Sequence, residues 1–166
     1  MTVRRFRAPD APVLWALNNL PNVGATADPD APLPLPPAQD PPAAFPDLAD
    51  IPAGYLRAGG DFLVAERDGH LVGMGGIRPT GAGTAEVRRL RVHPAVRRQG
   101  IGRSLLAALE QRARDLGLHR MALDTADNQP EAVAFYRALG YDESGRESHP
   151  DWSWTLVYFT KPLNPE

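Results

Sequence analysis

Val92-His93-Pro94-Ala95-Val96-Arg97-Arg98-Gln99-Gly100-Ile101-Gly102-Arg103-Ser104 joins a run with strand character, Ala85 to Val92, to one with helical periodicity. From about Gly102 to Leu116 the apolar residues Leu105, Leu106, Leu109, Ala113 and Leu116 fall on one stripe, and Gly117 supplies the stop. Gly100 and Gly102 open that helix among Arg97, Arg98 and Arg103. The first amides of a helix have no intrahelical acceptor and stand at the positive end of its dipole, so a strand, a glycine-bearing turn and a helix start form an anion site. A pyrophosphate is its natural guest.

Upstream, Val3 to Arg7 reads as a strand, and Asp10 starts a helix carrying Val13, Leu14, Leu17 and Leu20. Prolines from Pro29 to Pro52 make about 21–52 a long loop, with a short helix expected around Ala53 to Ala58. Phe62 to Glu66 and Leu71 to Ile77 form a hairpin turning at Arg67 to His70, and Gly73, Gly75 and Gly76 predict a bulge or a close backbone approach. Downstream come a strand at Arg120 to Thr125, a helix from a capping-box-like Asn128 and Glu131 through Leu139, and strands at Tyr141 to Arg146 and Trp152 to Thr160. Hairpin-linked strands followed by a strand-helix-strand unit predict an α/β fold, a mixed sheet flanked by helices.

The 166 residues suit one domain, 1–166. A net charge of -2 argues against a general nucleic-acid binder, and the absence of cysteine removes disulfides, thiolate metal sites and cysteine nucleophiles. The histidines His70, His93, His119 and His149 lack metal-ligand spacing, so no metal is expected. With no run of eighteen apolar residues and no apolar segment behind the N-terminus, no membrane partner is expected and the expected location is cytoplasmic.

Three phosphate-binding patterns compete for 92–104. A Walker loop needs a Gly-Lys-Ser/Thr that this chain lacks, its only lysine being Lys161. A dinucleotide fingerprint needs a third glycine where Leu105 stands and a tighter turn, although Asp124 lies near the spacing of a ribose-binding acid. The coenzyme A pattern Arg/Gln-x-x-Gly-x-Gly/Ala fits as Arg97-x-x-Gly100-x-Gly102.

Together with Ala85-Glu86-Val87-Arg88-Arg89-Leu90-Arg91-Val92, Asn128, Phe135-Tyr136-Arg137-Ala138-Leu139-Gly140-Tyr141 and the closing Tyr158 to Leu163, that match makes Asp61 to Leu163 resemble the GNAT superfamily of N-acetyltransferases. The resemblance implies a mostly antiparallel sheet with one splayed parallel strand pair, and transfer of the acetyl group of acetyl-CoA directly to a primary amine. It also implies residue roles. Leu90 and Val92 would offer main-chain contacts to the pantetheine arm. Arg97, Arg98, Gln99, Gly100, Ile101, Gly102, Arg103 and Ser104 would hold the pyrophosphate. Asn128 would approach the pantetheine, Tyr136 would be the general acid at the sulfur, and Glu86 the general base.

Each assignment has a structural rival. The arginines suit a solvated helix face, Asn128 a helix cap, Tyr136 an apolar stripe with Ala132 and Leu139, and Glu86 a surface pair with Arg88. The alternative function is a domain that binds acyl-CoA without turning it over, as a sensor or interaction module. The acceptor that the resemblance implies is a small-molecule or peptide amine. Asp28, Asp30, Asp40, Asp47 and Asp50, in a loop with no lysine or arginine, favour a cationic one. Trp152 and Trp154, placed on one strand face, either wall that site or pack in the core. A homodimer is left open.

Overall fold

The computed structural model describes residues 1–20 and 27–164; the start of the proline-rich stretch, 21–26, lies outside the described residues. Seven strands form one sheet in the order β1-β2-β3-β4-β5-β7-β6, with β1 at Thr2–Arg5, β2 at Asp61–Arg67, β3 at His70–Pro79, β4 at Thr84–Val92, β5 at Arg120–Ala126, β6 at Asp142–Ser148 and β7 at Thr155–Pro162. Every neighbouring pair is antiparallel except β4 and β5. The expected mixed sheet with a single parallel pair is therefore present. That pair needs a crossover, which α3 (Ile101–Asp115) supplies.

Strand alternation divides the core between the sheet's two faces. On one face Ala85, Val87, Met121, Leu123, Val157 and Phe159 meet the α3 stripe of Ile101, Leu105, Leu106, Leu109 and Ala113. The stripe begins one residue before the predicted helix start and excludes Leu116, which is exposed just past the last turn. On the other face Phe62, Val64, Leu71 and Met74 meet Leu14 and Leu17 of α1 (Ala11–Asn19), Leu48 of α2 (Pro46–Ala49), Ile51 and Tyr55.

The glycines of β3 give both features predicted for them. A Cβ on Gly73 would come within 2.8 Å of Leu105 and one on Gly75 within 3.0 Å of Leu109, so their absence lets α3 settle onto the strand. On the opposite face a Cβ on Gly76 would lie 2.6 Å from the Tyr55 ring and 2.7 Å from Phe62, both fully buried. Gly76→Ala is expected to cost about 1–3 kcal/mol through overpacking, visible as a lowered thermal midpoint with coenzyme A affinity retained in the folded protein.

Two regions depart from the sequence reading. The short helix expected around Ala53 to Ala58 is present as a single π-helical turn at Pro52–Leu56, but the proline-rich stretch also contains α2, because Pro46, like Pro52, occupies a first-turn position where the missing N–H costs nothing. The same stretch is tied down by main-chain bonds from Asp28 N–H to Pro94 O and from Ala38 N–H to Pro12 O, both 3.0 Å. The second departure is at the C-terminal hairpin: β7 starts at Thr155, so Trp152 and Trp154 lie outside the strand, in the preceding turn. There they stack face to face at 5.8 Å and 3° instead of entering the core.

Candidate active site

The two parallel strands are paired only over Thr84↔Arg120, Ala85↔Met121 and Glu86↔Ala122. Beyond Glu86 they part, and β4 sends Val87 to Val92 forward without a strand on that side. On its other side β4 is bulged: between the pairs Gly76↔Arg88 and Met74↔Arg91 it places two residues, Arg89 and Leu90, opposite the single Gly75. Arg89 takes the left-handed conformation, φ 58°, that such an extra residue requires. Bulging bends the strand away from β5 and opens a wedge.

A buried cluster holds this strained residue. The Arg89 guanidinium donates to both Asp47 oxygens at 2.9 Å, the Tyr55 hydroxyl donates to Asp47 Oδ2 at 2.6 Å, and the Phe45 ring lies 4.8 Å from the guanidinium carbon. Burial would raise the Asp47 carboxyl, but hydrogen bonds from Arg89 and Tyr55 prevail and hold it at about 2. The proline-rich segment is thereby clamped to the bulge.

A cleft of ≈ 580 Å³ fills the wedge between β4, β5, the start of α3 and α4 (Pro130–Ala138). Gly100, at φ 83°, turns the chain into α3 in a conformation costly for any residue with a side chain. The first intrahelical bond runs from Ser104 N–H to Gly100 O at 3.0 Å, so the amides of Ile101, Gly102 and Arg103 precede it at the cleft.

Leu90, Val92, Arg97, Arg98, Gly100, Ile101, Gly102, Arg103 and Tyr136 all line the cleft, as expected. Two of the arginines also hold the protein's own groups: Arg97 Nε donates to Val92 O at 3.2 Å, and Arg98 meets both Glu131 oxygens at 3.1 Å across the mouth.

Four predicted residues fall outside the lining. Gln99 turns its side chain to Arg67, and Ser104 has spent its amide within the helix. Asn128 is exposed in the turn before α4, whose first flanking residue is Gln129, with no side-chain cap. The capping box therefore does not form, because the helix starts one residue later than its spacing suggested and Glu131 is engaged by Arg98. It is Gln129 that reaches the cleft.

Glu86 lies in a second, smaller cavity of ≈ 230 Å³ with Ser144, Gly145, Tyr158 and Thr160, between the guanidiniums of Arg78 and Arg88 at 3.6 Å each. Asp124 lines both cavities, a placement the sequence reading missed. Its position in β5, two residues past the last paired residue Ala122, carries no motif; only the splay reveals it. Tyr136 packs its ring against Tyr141 and Phe159. Burial, and then the nearby Asp124, push its hydroxyl up to about 12, so it stays protonated throughout the neutral range.

Residues 28–141 match the model of the acetyltransferase (GNAT) family. The chain is 35% identical over 124 residues to the mouse protein described as probable N-acetyltransferase family 8 member 5, an alignment covering 69% of this chain and 55% of the relative. It thus spans about half the length of that curated relative. Its fold matches a GNAT-family acetyltransferase from Staphylococcus aureus with a TM-score of 0.75 at 18% identity, covering 98% and 99% of the two chains. It also matches a Salmonella typhimurium acetyltransferase solved with acetyl-CoA, with a TM-score of 0.71 at 20% identity, covering 99% and 95%. The splayed parallel pair, the glycine-bearing helix start facing it and the family match over most of the chain lead to one conclusion: this chain belongs to the GNAT family of acetyltransferases.

Proposed function

We propose that the protein transfers the acetyl group of acetyl-CoA to a primary amine within a ternary complex. The observation that carries this reading is the wedge itself, which puts unspent helix amides at one end of a strand unpaired on that side and ionisable side chains at the other. The residues present fit coenzyme A. Amides of Ile101, Gly102 and Arg103, with the guanidiniums of Arg97 and Arg103, would receive the pyrophosphate, and the main chain of Leu90 and Val92 would receive the pantetheine arm. When bound, acetyl-CoA supplies a thioester, an acyl carbon already activated toward amines.

The chain's own residues then have three tasks. Oriented β4 amides beside the gap are donors toward an oxygen that gains charge, and they act without reorganising. The Tyr136 O–H donates a hydrogen bond or proton toward sulfur. A carboxylate must take the acceptor's proton, since an ammonium group has no lone pair. No cysteine is present to form an acyl-enzyme, in keeping with direct transfer.

We assign the acceptor to the side of the second cavity, where Glu86, Asp124 and Tyr158 suit a cationic amine. The aspartates of the proline-rich segment contribute less to that preference than their sequence context suggested, because Asp47 is neutralised by Arg89 and Asp50 faces Arg57 at 3.6 Å.

Thiol release from acetyl-CoA, followed across polyamine, aminoglycoside, amino-acid and peptide amines, tests the reading. Turnover with at least one class, weakened by salt if the amine is cationic, is the expected result; none with any class contradicts it. Tyr136→Phe is expected to lower kcat by about 10–100-fold, at the lower end of proton-transfer effects, with the acetyl-CoA Kd unchanged. An unchanged kcat would remove Tyr136 from the chemistry.

A further inference from the structure

The acids of the two cavities differ in what already holds them. Glu131 is engaged by Arg98 at 3.1 Å, and Glu86 stands between Arg78 and Arg88. Asp124 forms no ion pair among the described residues. It alone of the three lines both the cleft and the second cavity.

Alternation in β5 explains why. Met121 and Leu123 point into the core beneath α3, which leaves Ala122 and Asp124 on the opposite face, where Asp124 sits across from Tyr158 of β7. Because β4 leaves β5 just past Ala122, no residue of β4 pairs with Asp124, which lines both cavities.

We infer that Asp124 is the catalytic carboxylate that receives the acceptor's proton, the role expected of Glu86. The inference rests on the acyl-transfer reading above. One proton of the acceptor ammonium passes to a carboxylate oxygen of Asp124, which frees the nitrogen lone pair. As the C–N bond forms and the C–S bond breaks, Tyr136 gives its proton to sulfur. The second proton shed by nitrogen returns to the Tyr136 oxygen through water, and Asp124 releases its own to solvent.

The groups that face Asp124 are Glu86 and Arg88 from β4, Tyr136 from α4, Glu147 from β6 and Tyr158 from β7. Although Asp124 is exposed to the cavities, the protein packed around it limits its hydration; that desolvation and the charge of Glu86, with a smaller push from Glu147, raise the carboxyl above the ordinary aspartate range, against the opposing pull of Arg88. A raised carboxyl is a better proton acceptor and sets the acidic limb of activity. Glu86 already stands 3.6 Å from Arg78 and from Arg88, a neighbour whose charge acts on Asp124.

Kinetics of thiol release with spermidine and an alanyl peptide, on the full chain, separate the two acids. Asp124→Asn is expected to lower kcat/KM for the amine by about 100-fold or more, within the usual range for a lost base. It should abolish the acidic limb of the pH profile and leave the calorimetric acetyl-CoA Kd within threefold. Asp124→Glu is expected to recover about a tenth of wild-type activity and to keep an acidic limb, and Glu86→Gln to keep that limb whatever its effect on the amine KM. Activity of Asp124→Asn within threefold of wild type, or loss of the limb in Glu86→Gln instead, overturns the assignment while leaving acyl transfer intact. So does a wild type that binds acetyl-CoA but releases no thiol with either amine. Failure of the wild type to bind acetyl-CoA overturns the cleft reading and this assignment together. If Asp124→Asn does not fold, carbon-13 titration of the Asp124 carboxyl in the wild type decides: a midpoint above the ordinary aspartate value and coincident with the acidic limb supports the role, and one below it excludes it.

Discussion

A Gly102→Asp protein is expected to fold and melt no lower than wild type, yet to bind coenzyme A on the order of 100-fold more weakly. A Cβ at Gly102 would lie 3.5 Å from both Phe135 and Val92, ordinary contact distances, so the side chain fits. At the second helical position the new carboxylate would accept from the same amides of α3 that we assign to the pyrophosphate, and its charge would complement the helix dipole by about 0.3–1 kcal/mol. Stability therefore holds or rises while the anion site is filled from within. Hydrogen bonds to charged groups are worth about 1.5–3 kcal/mol each, and one or two of them, lost together with an added repulsion, give roughly that fold-change. Thermal melts and calorimetry on the same sample check both halves. Unchanged affinity would place the pyrophosphate elsewhere.

Asp47→Ala is expected to destabilise the protein by about 3 kcal/mol, because it leaves the Arg89 guanidinium largely buried without its counter-charge and takes the acceptor from the Tyr55 hydroxyl. The side chains are only 10% and 20% exposed, so solvent screens little of this loss. The effect should extend to the chemistry: with the clamp gone, nothing holds Arg89 at its positive φ, and the bulge that opens the wedge relaxes. Acetyl-CoA affinity is then expected to fall in the folded fraction as well. The pH dependence has a definite sign. Asp47 is held at about 2 in the folded protein, below the ordinary aspartate value near 4, so its contribution is complete above about pH 4 and is lost as the pH falls from there toward 2. Denaturant titrations of wild type between those pH values should show the decline, and Asp47→Ala should show less of it. An equal decline in both proteins would assign the acid sensitivity to other carboxylates.

The end of the cleft that we assign to the donor was legible in the sequence because local rules govern it. A glycine-bearing turn between a strand and an amphipathic helix fixes where free amides stand, and Arg97, Gly100, Gly102 and Arg103 all reach the cleft as their spacing implied. What the sequence concealed is set by contacts between distant residues. Nothing near Asp47 marks it as a partner of Arg89, 42 positions on, and nothing near Asp124 indicates that its parallel neighbour will part from it at Ala122. Prolines break regular structure in a helix interior, yet Pro46 and Pro52 start helical turns, a distinction that depends on position within the turn. At Asn128 a shift of one residue moved the helix start and put Gln129, not Asn128, at the cleft. Trp152 and Trp154 alternate like strand residues, but β7 begins only at Thr155.

All of the chemistry assigned here requires that the amides opening α3 hold a diphosphate. Calorimetric titration of the wild-type protein with coenzyme A examines that requirement without assuming any acceptor. The structure predicts one site per chain, with an affinity that weakens as salt is added and is on the order of 100-fold tighter than that of pantetheine, which lacks the pyrophosphate. Coenzyme A and pantetheine binding equally, or neither binding, would contradict it.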